Sequence, residues 1–179
     1  MAIKISTEKY SEAGLSDSKF FGEILLEEKL LKGDYFSPTD VFLCALELEK
    51  MTAFDGEGSL PKSGTLLFFV DIDARPATAK VVLCEKADAL VDFNEDSDCG
   101  YEVEDPVAIR FSCGETGTCC LVRDEKVKDD ETCLLRFSTG EFEDVDFLSD
   151  TRGSLYFIIK TDALRNRDFS DVKVYFSEE

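Results

Sequence analysis

Residues Lys62–Ala74 read KSGTLLFFVDIDA and residues Thr151–Ala163 read TRGSLYFIIKTDA, so the chain uses one pattern twice. Glycine, leucine, phenylalanine, aspartate and alanine recur at an offset of 153 − 64 = 89 residues, and at that offset Cys44 falls on Cys133. Aromatic and β-branched residues of this kind are typical of strands. The repeat therefore predicts two related halves, each with a strand, a loop and a second strand.

Length and composition fit one globular domain. A chain of 179 residues can bury about 70% of its unfolded surface, so it needs no disulfide or metal to stabilise a core. With 15 Phe and no Trp, the aromatic part of that core is expected to be phenylalanine. We expect a single domain over residues 1–179, made of two repeated halves at approximately 18–100 and 101–179.

The order of apolar runs predicts the fold class. Strands are expected at residues 41–48, 64–72, 79–85, 107–112, 118–122, 132–138, 154–160 and 172–176. Ser16–Leu31 has an apolar stripe at helical spacing, weakened by Gly22, and Thr161–Arg167 predicts one or two helical turns capped by its first or second residue. The residues up to Asp17 predict a short helix or a loose arm. Together these patterns predict an α+β fold, mainly antiparallel β, with an internal duplication and few short helices.

The charge of the chain is strongly negative. Its 39 acidic and 20 basic residues give a net charge of −19. Such a field repels the phosphates of nucleic acids and anionic membrane surfaces, so neither is an expected partner. It favours a basic protein partner or a cation, although the charge also has a simpler use in keeping the protein soluble.

The absence of histidine removes whole classes of chemistry. There is no His for a catalytic triad, for a general base near neutral pH or for the commonest type of metal ligand. The first residues lack the apolar core of a signal peptide, and no run approaches the ~20 apolar residues of a membrane span. A reduced cytoplasmic protein is the expectation.

One acidic segment has the spacing of a cation loop. Asp92, Asn94, Asp96 and Asp98 alternate as D-x-N-x-D-x-D, and calcium loops place oxygen ligands at alternate positions. The glycine expected in such a loop is replaced by a serine and the twelfth position is a valine, so a solvated acidic loop is the competing interpretation.

Seven cysteines allow a second metal hypothesis. No C-x-x-C pair occurs, so the spacing does not match a thiolate zinc site. Cys119 and Cys120 are adjacent and would point to opposite faces of a strand, which predicts one in the core and one exposed. The remaining cysteines in apolar runs are expected to behave as small hydrophobic residues.

Two further sets of residues are candidates for a site. Gly64, Asp73, Gly153 and Asp162 are shared by the two halves. Converging carboxylates perform acid–base chemistry, but a turn or helix cap explains both aspartates, and a tight entry to a strand explains both glycines.

The second set is a basic cluster near the end of the chain. Arg165, Arg167 and Asp168, in LRNRDFS, are candidates for contacting a ligand or partner, because arginine is favoured at interfaces and beside carboxylates. A solvated helix end is the alternative.

Four phrases resemble one bacterial family. They are SKFFGEILL (18–26), FLCALELEKM (42–51), LPKSGTLLFFVD (60–71) and RGSLYFIIKTDALRNRDFSDVKVYF (152–176). Together they resemble the YwqG-like family of unknown function, and the last phrase is the most specific. The resemblance implies an α+β fold with an internal duplication. The family's two glutamines, one per half, are replaced by Ala45 and by Leu134 or Leu135, so a ligand held by those glutamines would be lost here.

The sequence supports two functional hypotheses. The first is a non-enzymatic protein-binding module for a basic partner such as a toxin, in an immunity-like role, which also follows from the proposed proximity of this family to toxin–immunity genes. The second is a small-ligand-binding protein or an enzyme with a cleft between the two halves. No cofactor is predicted for either.

Overall fold

The computed structural model describes residues 2–94 and 105–178, and within them the chain forms twelve strands and three short helices. The strands are β1 (Ile3–Glu12), β2 (Lys19–Phe20), β3 (Ile24–Leu26), β4 (Val41–Glu47), β5 (Thr65–Asp71), β6 (Thr78–Cys84), β7 (Ala89–Val91), β8 (Val107–Cys113), β9 (Cys119–Cys120), β10 (Glu131–Ser138), β11 (Gly153–Lys160) and β12 (Lys173–Glu178). The helices are α1 (Glu28–Leu31), α2 (Leu48–Met51) and α3 (Thr161–Arg165).

Ten of these strands form one antiparallel sheet. Its order is β12-β11-β10-β9-β1-β8-β2-β4-β5-β6, and its two end strands approach each other, so the sheet is a nearly closed barrel. Strands β3 and β7 pair separately as a two-stranded ribbon outside the barrel. The prediction of a mainly antiparallel β fold with few short helices is confirmed.

Apolar side chains fill the barrel and one of its outer faces. Inside, the rings of Phe68 on β5 and Phe157 on β11 meet edge to face with their centroids 5.3 Å apart. Outside, Phe42 and Phe69 form a second apolar cluster, which is covered by Ile24 and its neighbours in the ribbon. Phenylalanine thus contributes to both layers of the core, as its abundance predicts.

The β4–β5 and β10–β11 hairpins have the same pairing pattern. Each contains one bulge in its first strand, at Leu43 in β4 and at Leu134 in β10. After the bulge, Cys44 pairs with Phe68 and Leu135 pairs with Phe157. The equivalent residues are therefore offset by 135 − 44 = 91 in the first strand and by 157 − 68 = 89 in the second.

This register corrects one detail of the sequence comparison. The ungapped match of Cys44 with Cys133 is wrong, because Cys133 pairs with Ile158 and so occupies the position of Phe42. The physical reason is the loop length. The paired ends of the loop are 65 − 47 = 18 residues apart in the first hairpin and 154 − 138 = 16 in the second. An alignment without gaps cannot represent that difference in loop length.

The first third of the chain differs most from the prediction. The opening residues form β1, which pairs with β8 and β9, instead of a short helix or a loose arm. The helix expected over Ser16–Leu31 is also wrong, because this segment is β2, β3 and the single turn α1. Phe21 and Gly22 have φ angles of 53° and 77°, which end a right-handed helix there. Pairing of β2 with β4 and β8 overrides the apolar stripe.

The helical turn after β11 is confirmed, but its cap is not. Helix α3 begins after Lys160, which has an extended backbone and makes no side-chain capping hydrogen bond. The last strand is confirmed as well, since Val172 and Val174 are buried on one face and Phe176 packs against the same core.

Candidate functional site

A cleft of about 890 Å³ opens at the barrel end where β4, β9 and β11 finish. The loop after α2 forms one wall, and the segment from Leu121 to Thr132 together with α3 forms the other. Leu60, Val122 and Leu164 are buried apolar residues among its lining. The volume is within the range of small-molecule sites, and the mouth of a barrel is a common position for one.

Charged side chains line the rim of the cleft. An ion pair between Arg123 and Glu57, with 2.8 Å between nitrogen and oxygen, joins the two walls. Asp55 is committed to its own loop, because it accepts hydrogen bonds from the amides of Glu57 and Leu60. The rim therefore mixes fixed carboxylates with exposed cations, and it can bind a ligand through charge as well as through its apolar floor.

Asp124 connects this wall to the outer face of β10 and β11. Its carboxylate accepts hydrogen bonds from the Lys126 amide at 3.1 Å and the Tyr156 hydroxyl at 3.2 Å, and it lies 3.4 Å from a guanidinium nitrogen of Arg136. Partial burial works against ionisation, but the pKa of Asp124 is lowered overall by these hydrogen bonds and by the cations. The Asp124 carboxylate therefore stabilises the loop through these three contacts.

The predicted basic cluster is divided by the structure. Arg165 and Arg167 both line the cleft, whereas Asp168 caps its own turn by accepting hydrogen bonds from the Ser170 amide and hydroxyl. Arg165 pairs with Asp162 at 3.1 Å, and Arg167 lies 3.4 Å from a carboxylate oxygen of Glu85. These ion pairs are exposed and therefore worth little, so both arginines remain open to a ligand.

The repeated residues have structural explanations. Gly64 has a φ angle of 98°, and a Cβ added there would lie 3.1 Å from the Cys84 carbonyl oxygen on the neighbouring strand. A Cβ on Gly153 would collide with the Ser177 carbonyl and would come within 2.6 Å of the Phe176 ring. The lack of a side chain at Gly64 therefore allows β5 to lie close to β6, and the lack of one at Gly153 allows β11 to lie close to β12.

The two repeated aspartates are not brought together by any hydrogen bond or ion pair in the described residues. Asp73 is exposed, and the turn that contains it is held by Asp71, whose Oδ1 accepts from the Asp73 and Ala74 amides at 3.0 Å each. Asp162 is exposed and pairs with Arg165. The turn expected at Asp73 is present, but its carboxylate is not the group that stabilises it.

The predicted cation loop is described only in part. Asp92 and Asn94 lie in the described residues, whereas Asp96 and Asp98 lie outside them. Asn94 is buried, and its amide exchanges two hydrogen bonds with the backbone of Phe42, at 2.8 Å and 3.0 Å. Among the described residues, no group of three or more Cys, Asp or Glu side chains has the arrangement of a metal site.

The cysteines are mainly packing residues. Cys119 and Cys120 are both buried, so the prediction that one is exposed is wrong: Cys120 faces the barrel interior and Cys119 is covered on the outer face. Burial raises the pKa of the Cys133 thiol to about 12, and it also raises the pKa of Cys44 and Cys120. Such thiols are poor nucleophiles, because the thiolate is the reactive form.

A buried ion pair was not predicted from the sequence. Asp40 is fully buried, and its Oδ2 accepts hydrogen bonds from the Lys80 ammonium at 2.6 Å and from the Ser37 amide at 2.7 Å. Its other carboxylate oxygen has no hydrogen-bond partner among the described residues. Asp40 lies one residue before an apolar run, and nothing in that pattern indicates that the carboxylate faces inward.

An exposed group of leucines was also missed. Leu25 on β3 and Leu90 on β7 lie directly opposite each other in the ribbon, and they are 39% and 54% exposed. Leu15 is 40% exposed and lines a small groove together with Leu25. We refer to Leu15, Leu25 and Leu90 as the leucine surface. No pattern in the sequence indicates this surface, because β3 is apolar at every position and its residues do not show which one faces water.

Neither a scan of protein-family models nor a search of curated proteins found a match for this chain. The YwqG-like resemblance therefore stays a prediction that rests on the quoted phrases. In the part of the chain that the structure describes, no helix combines the length and the apolar character needed to cross a membrane.

Proposed function

We propose that this chain is a non-enzymatic protein-binding module for a basic partner, with neutralisation of a basic toxin as the sharpest form of the hypothesis. The observation that carries it is the charge, 39 acidic against 20 basic residues. Even if every positive charge were balanced by one carboxylate, a surplus of 39 − 20 = 19 negative charges would remain. A surplus of this size accelerates encounter with a cationic protein.

The packing supports a binding role over a catalytic one. The space between the two halves is filled by apolar side chains, including the contact of Phe68 with Phe157. The most buried thiols have raised pKa values and the chain has no His, so the usual nucleophiles and bases are not poised for reaction.

The test is a native pull-down followed by kinetics. The protein is captured from its own cell, the recovered partner is purified, and the association rate constant is measured at rising sodium chloride concentrations. A basic partner whose association slows as salt rises is the expected result. Recovery of no partner, or only of neutral and acidic ones, contradicts the proposal.

The cleft at the barrel end supports the alternative function, a small-ligand-binding protein or an enzyme. Arg165 and Arg167 on its rim would face a carboxylate-bearing ligand, since arginine matches the planar geometry of carboxylates. Melting curves with succinate as the probe test this alternative. The melting temperature should rise with succinate concentration, because a ligand that binds only the folded state stabilises it.

Two variants distinguish a site from general salt effects. A double variant, Arg165→Ala with Arg167→Ala, should lose the rise in melting temperature. Arg152→Ala is the matched control, because Arg152 is exposed and lies outside the lining of the cleft. An equal rise in all three proteins removes the alternative.

We also infer that the two halves of the sheet arose by duplication. From one end the strands run β6, β5, β4, β2 and β8, and from the other they run β12, β11, β10, β9 and β1. The matching bulges at Leu43 and Leu134 support this equivalence. Superposition of the hairpins in an experimental structure tests it, and bulges that fail to coincide count against duplication.

A further inference from the structure

The β3–β7 ribbon is the part of the described fold that has no counterpart in the second half. The other ten strands can be matched in pairs from the two ends of the sheet, which leaves β3 and β7 over. The ten matched strands form the barrel itself. A surface that serves this protein's particular function is therefore best sought on the two strands that have no match.

The ribbon is apolar on both faces. Ile24 and Leu26 are buried against the outer face of the barrel, and Leu25 between them points away and is 39% exposed. A strand with one face in water normally places a polar residue at such a position. Here Leu90 stands directly opposite Leu25 and is 54% exposed, so both strands place leucine on the outer face.

A groove of about 130 Å³ lies beside this face. Leu15 and Leu25 line it together with the buried residues Ile24, Leu67 and Cys84. Single exposed leucines are ordinary on protein surfaces, but a cluster beside an apolar groove is typical of an interaction site. The groove has room for one apolar side chain of a partner, in the manner of an interface anchor.

Carboxylates surround the leucine surface, and most of them already have a cation of this chain beside them. Asp17 and Glu85 line the groove with Lys86, and Lys50 lies 3.2 Å from Asp17 and Arg167 lies 3.4 Å from Glu85. These ion pairs are exposed and worth little, so the cations of a bound segment can compete for both carboxylates. Glu27 and Asp88 also act on the groove, because their charges add to burial in raising the pKa of the Cys84 thiol. A basic segment is therefore complementary to this surface, whereas a second copy of this chain would bring another net charge of −19.

We propose that the leucine surface is the docking site for a basic amphipathic segment of the partner, with an apolar side chain of that segment in the groove and its cations over the surrounding carboxylates. This inference rests on the proposed function and adds the surface and the chemistry of the bound segment. Apolar anchors supply the affinity in this arrangement, and the charges supply the rate of encounter.

The test uses two synthetic peptides of lysine and leucine with identical composition. One, of about 18 residues, has its leucines at helical spacing on one face, and the other has the same residues scrambled so that no apolar face forms. Each is titrated into full-length protein that carries labelled leucine methyl groups, and methyl resonances are assigned from single Leu→Ser variants. We expect the amphipathic peptide to shift the methyl resonances of Leu15, Leu25 and Leu90, and the scrambled peptide to shift them far less.

Variants add an affinity measurement. Leu25→Ser with Leu90→Ser should weaken binding of the amphipathic peptide by about tenfold or more. Leu31→Ser is the matched control, because Leu31 is 36% exposed but does not line the groove, and it should change the affinity by less than about twofold. Glu85→Gln should slow association, whereas Glu125→Gln, at an exposed site outside the lining of the groove, should not.

The outcomes separate this inference from the proposed function. If the peptide binds but shifts other leucines, or if the double variant binds normally, the surface is wrong and a basic partner is still allowed. Methyl shifts that depend on protein concentration without peptide identify a second copy as the occupant and overturn the inference. Absence of binding by the amphipathic peptide overturns it as well, and the native pull-down then decides the proposed function independently.

Discussion

At the residue scale, Gly153 occupies a position where a side chain has no room. A Cβ would collide with the Ser177 carbonyl on β12 and with the Phe176 ring at 2.6 Å. Backbone atoms cannot move away cheaply, so Gly153→Ala should lower the free energy of unfolding by about 2–3 kcal/mol. Urea denaturation measures it. Gly56→Ala is the control, because nothing lies within 4 Å of its Cβ position, and an equal loss in both variants contradicts this explanation.

The buried thiols predict an alkaline loss of stability. Burial raises the pKa of Cys133 to about 12, whereas a cysteine in an unfolded chain ionises near pH 8.5. A raised folded-state pKa means that the stabilisation is complete below about pH 8.5 and is lost as the pH rises from there toward 12. Between pH 7.5 and pH 10, Cys133→Ala should therefore lose about 2 kcal/mol less stability than the natural sequence does.

A second variant, measured at the same two pH values, is the control for that prediction. Cys113 is exposed, so Cys113→Ala should keep the full alkaline loss. Urea denaturation of the natural protein and of both variants at the two pH values gives the free energies that are needed. A Cys133→Ala protein with an unchanged alkaline loss would show that this thiol does not ionise on unfolding.

At the element scale, one side chain ties the end of the ribbon to the barrel. Asn94 follows β7 and bonds both the amide and the carbonyl of Phe42 on β4. Asn94→Leu would leave two buried backbone groups without these partners, which should cost about 2–4 kcal/mol. Asp88→Ala, which removes the acceptor of an exposed Glu28 amide, should cost less than about 1 kcal/mol. Equal costs would show that the Asn94 bonds do not stabilise the junction.

The elements differ in how well sequence patterns predict them. Strands β5 and β11 are long, apolar and β-branched, so their pattern fits a buried strand and little else. The pattern of Ser16–Leu31 misleads because its two short strands are held by pairing with later strands, β2 with β4 and β8 and β3 with β7. Local periodicity does not contain that information, since Phe20 and Ile24 fit an apolar helical stripe equally well.

The candidate sites show the same contrast between features that a local sequence pattern reveals and features that depend on the folded barrel. Arg165 and Arg167 were identified because arginines near a helix end are visible in the sequence, and they do line the cleft. The ion pair that joins the two walls of the cleft was not predicted, because Glu57 and Arg123 meet only after the barrel forms. The leucine surface was invisible for a related reason: which leucine of β3 faces outward depends on how the ribbon packs on the barrel.

At the scale of the whole molecule, the net charge of −19 should make stability depend on salt. Like charges repel one another in the compact state, and salt screens that repulsion. Raising sodium chloride from about 20 to 500 mM should increase the melting temperature, by about 2–4 °C for each kcal/mol gained. Chloride is the suitable anion because sulfate stabilises proteins through exclusion from their surface. A melting temperature that stays constant or falls contradicts a surface dominated by repulsion.

The association rate of the natural partner tests the central claim most directly. The partner recovered by native pull-down is mixed with this protein at sodium chloride concentrations from about 20 to 500 mM, and the rate constant is followed by stopped-flow fluorescence. A basic partner drawn to this acidic surface should associate at least about tenfold more slowly at the highest salt than at the lowest. A rate constant that is independent of salt, or that rises with it, would contradict the proposal that this protein binds a basic partner through its charge.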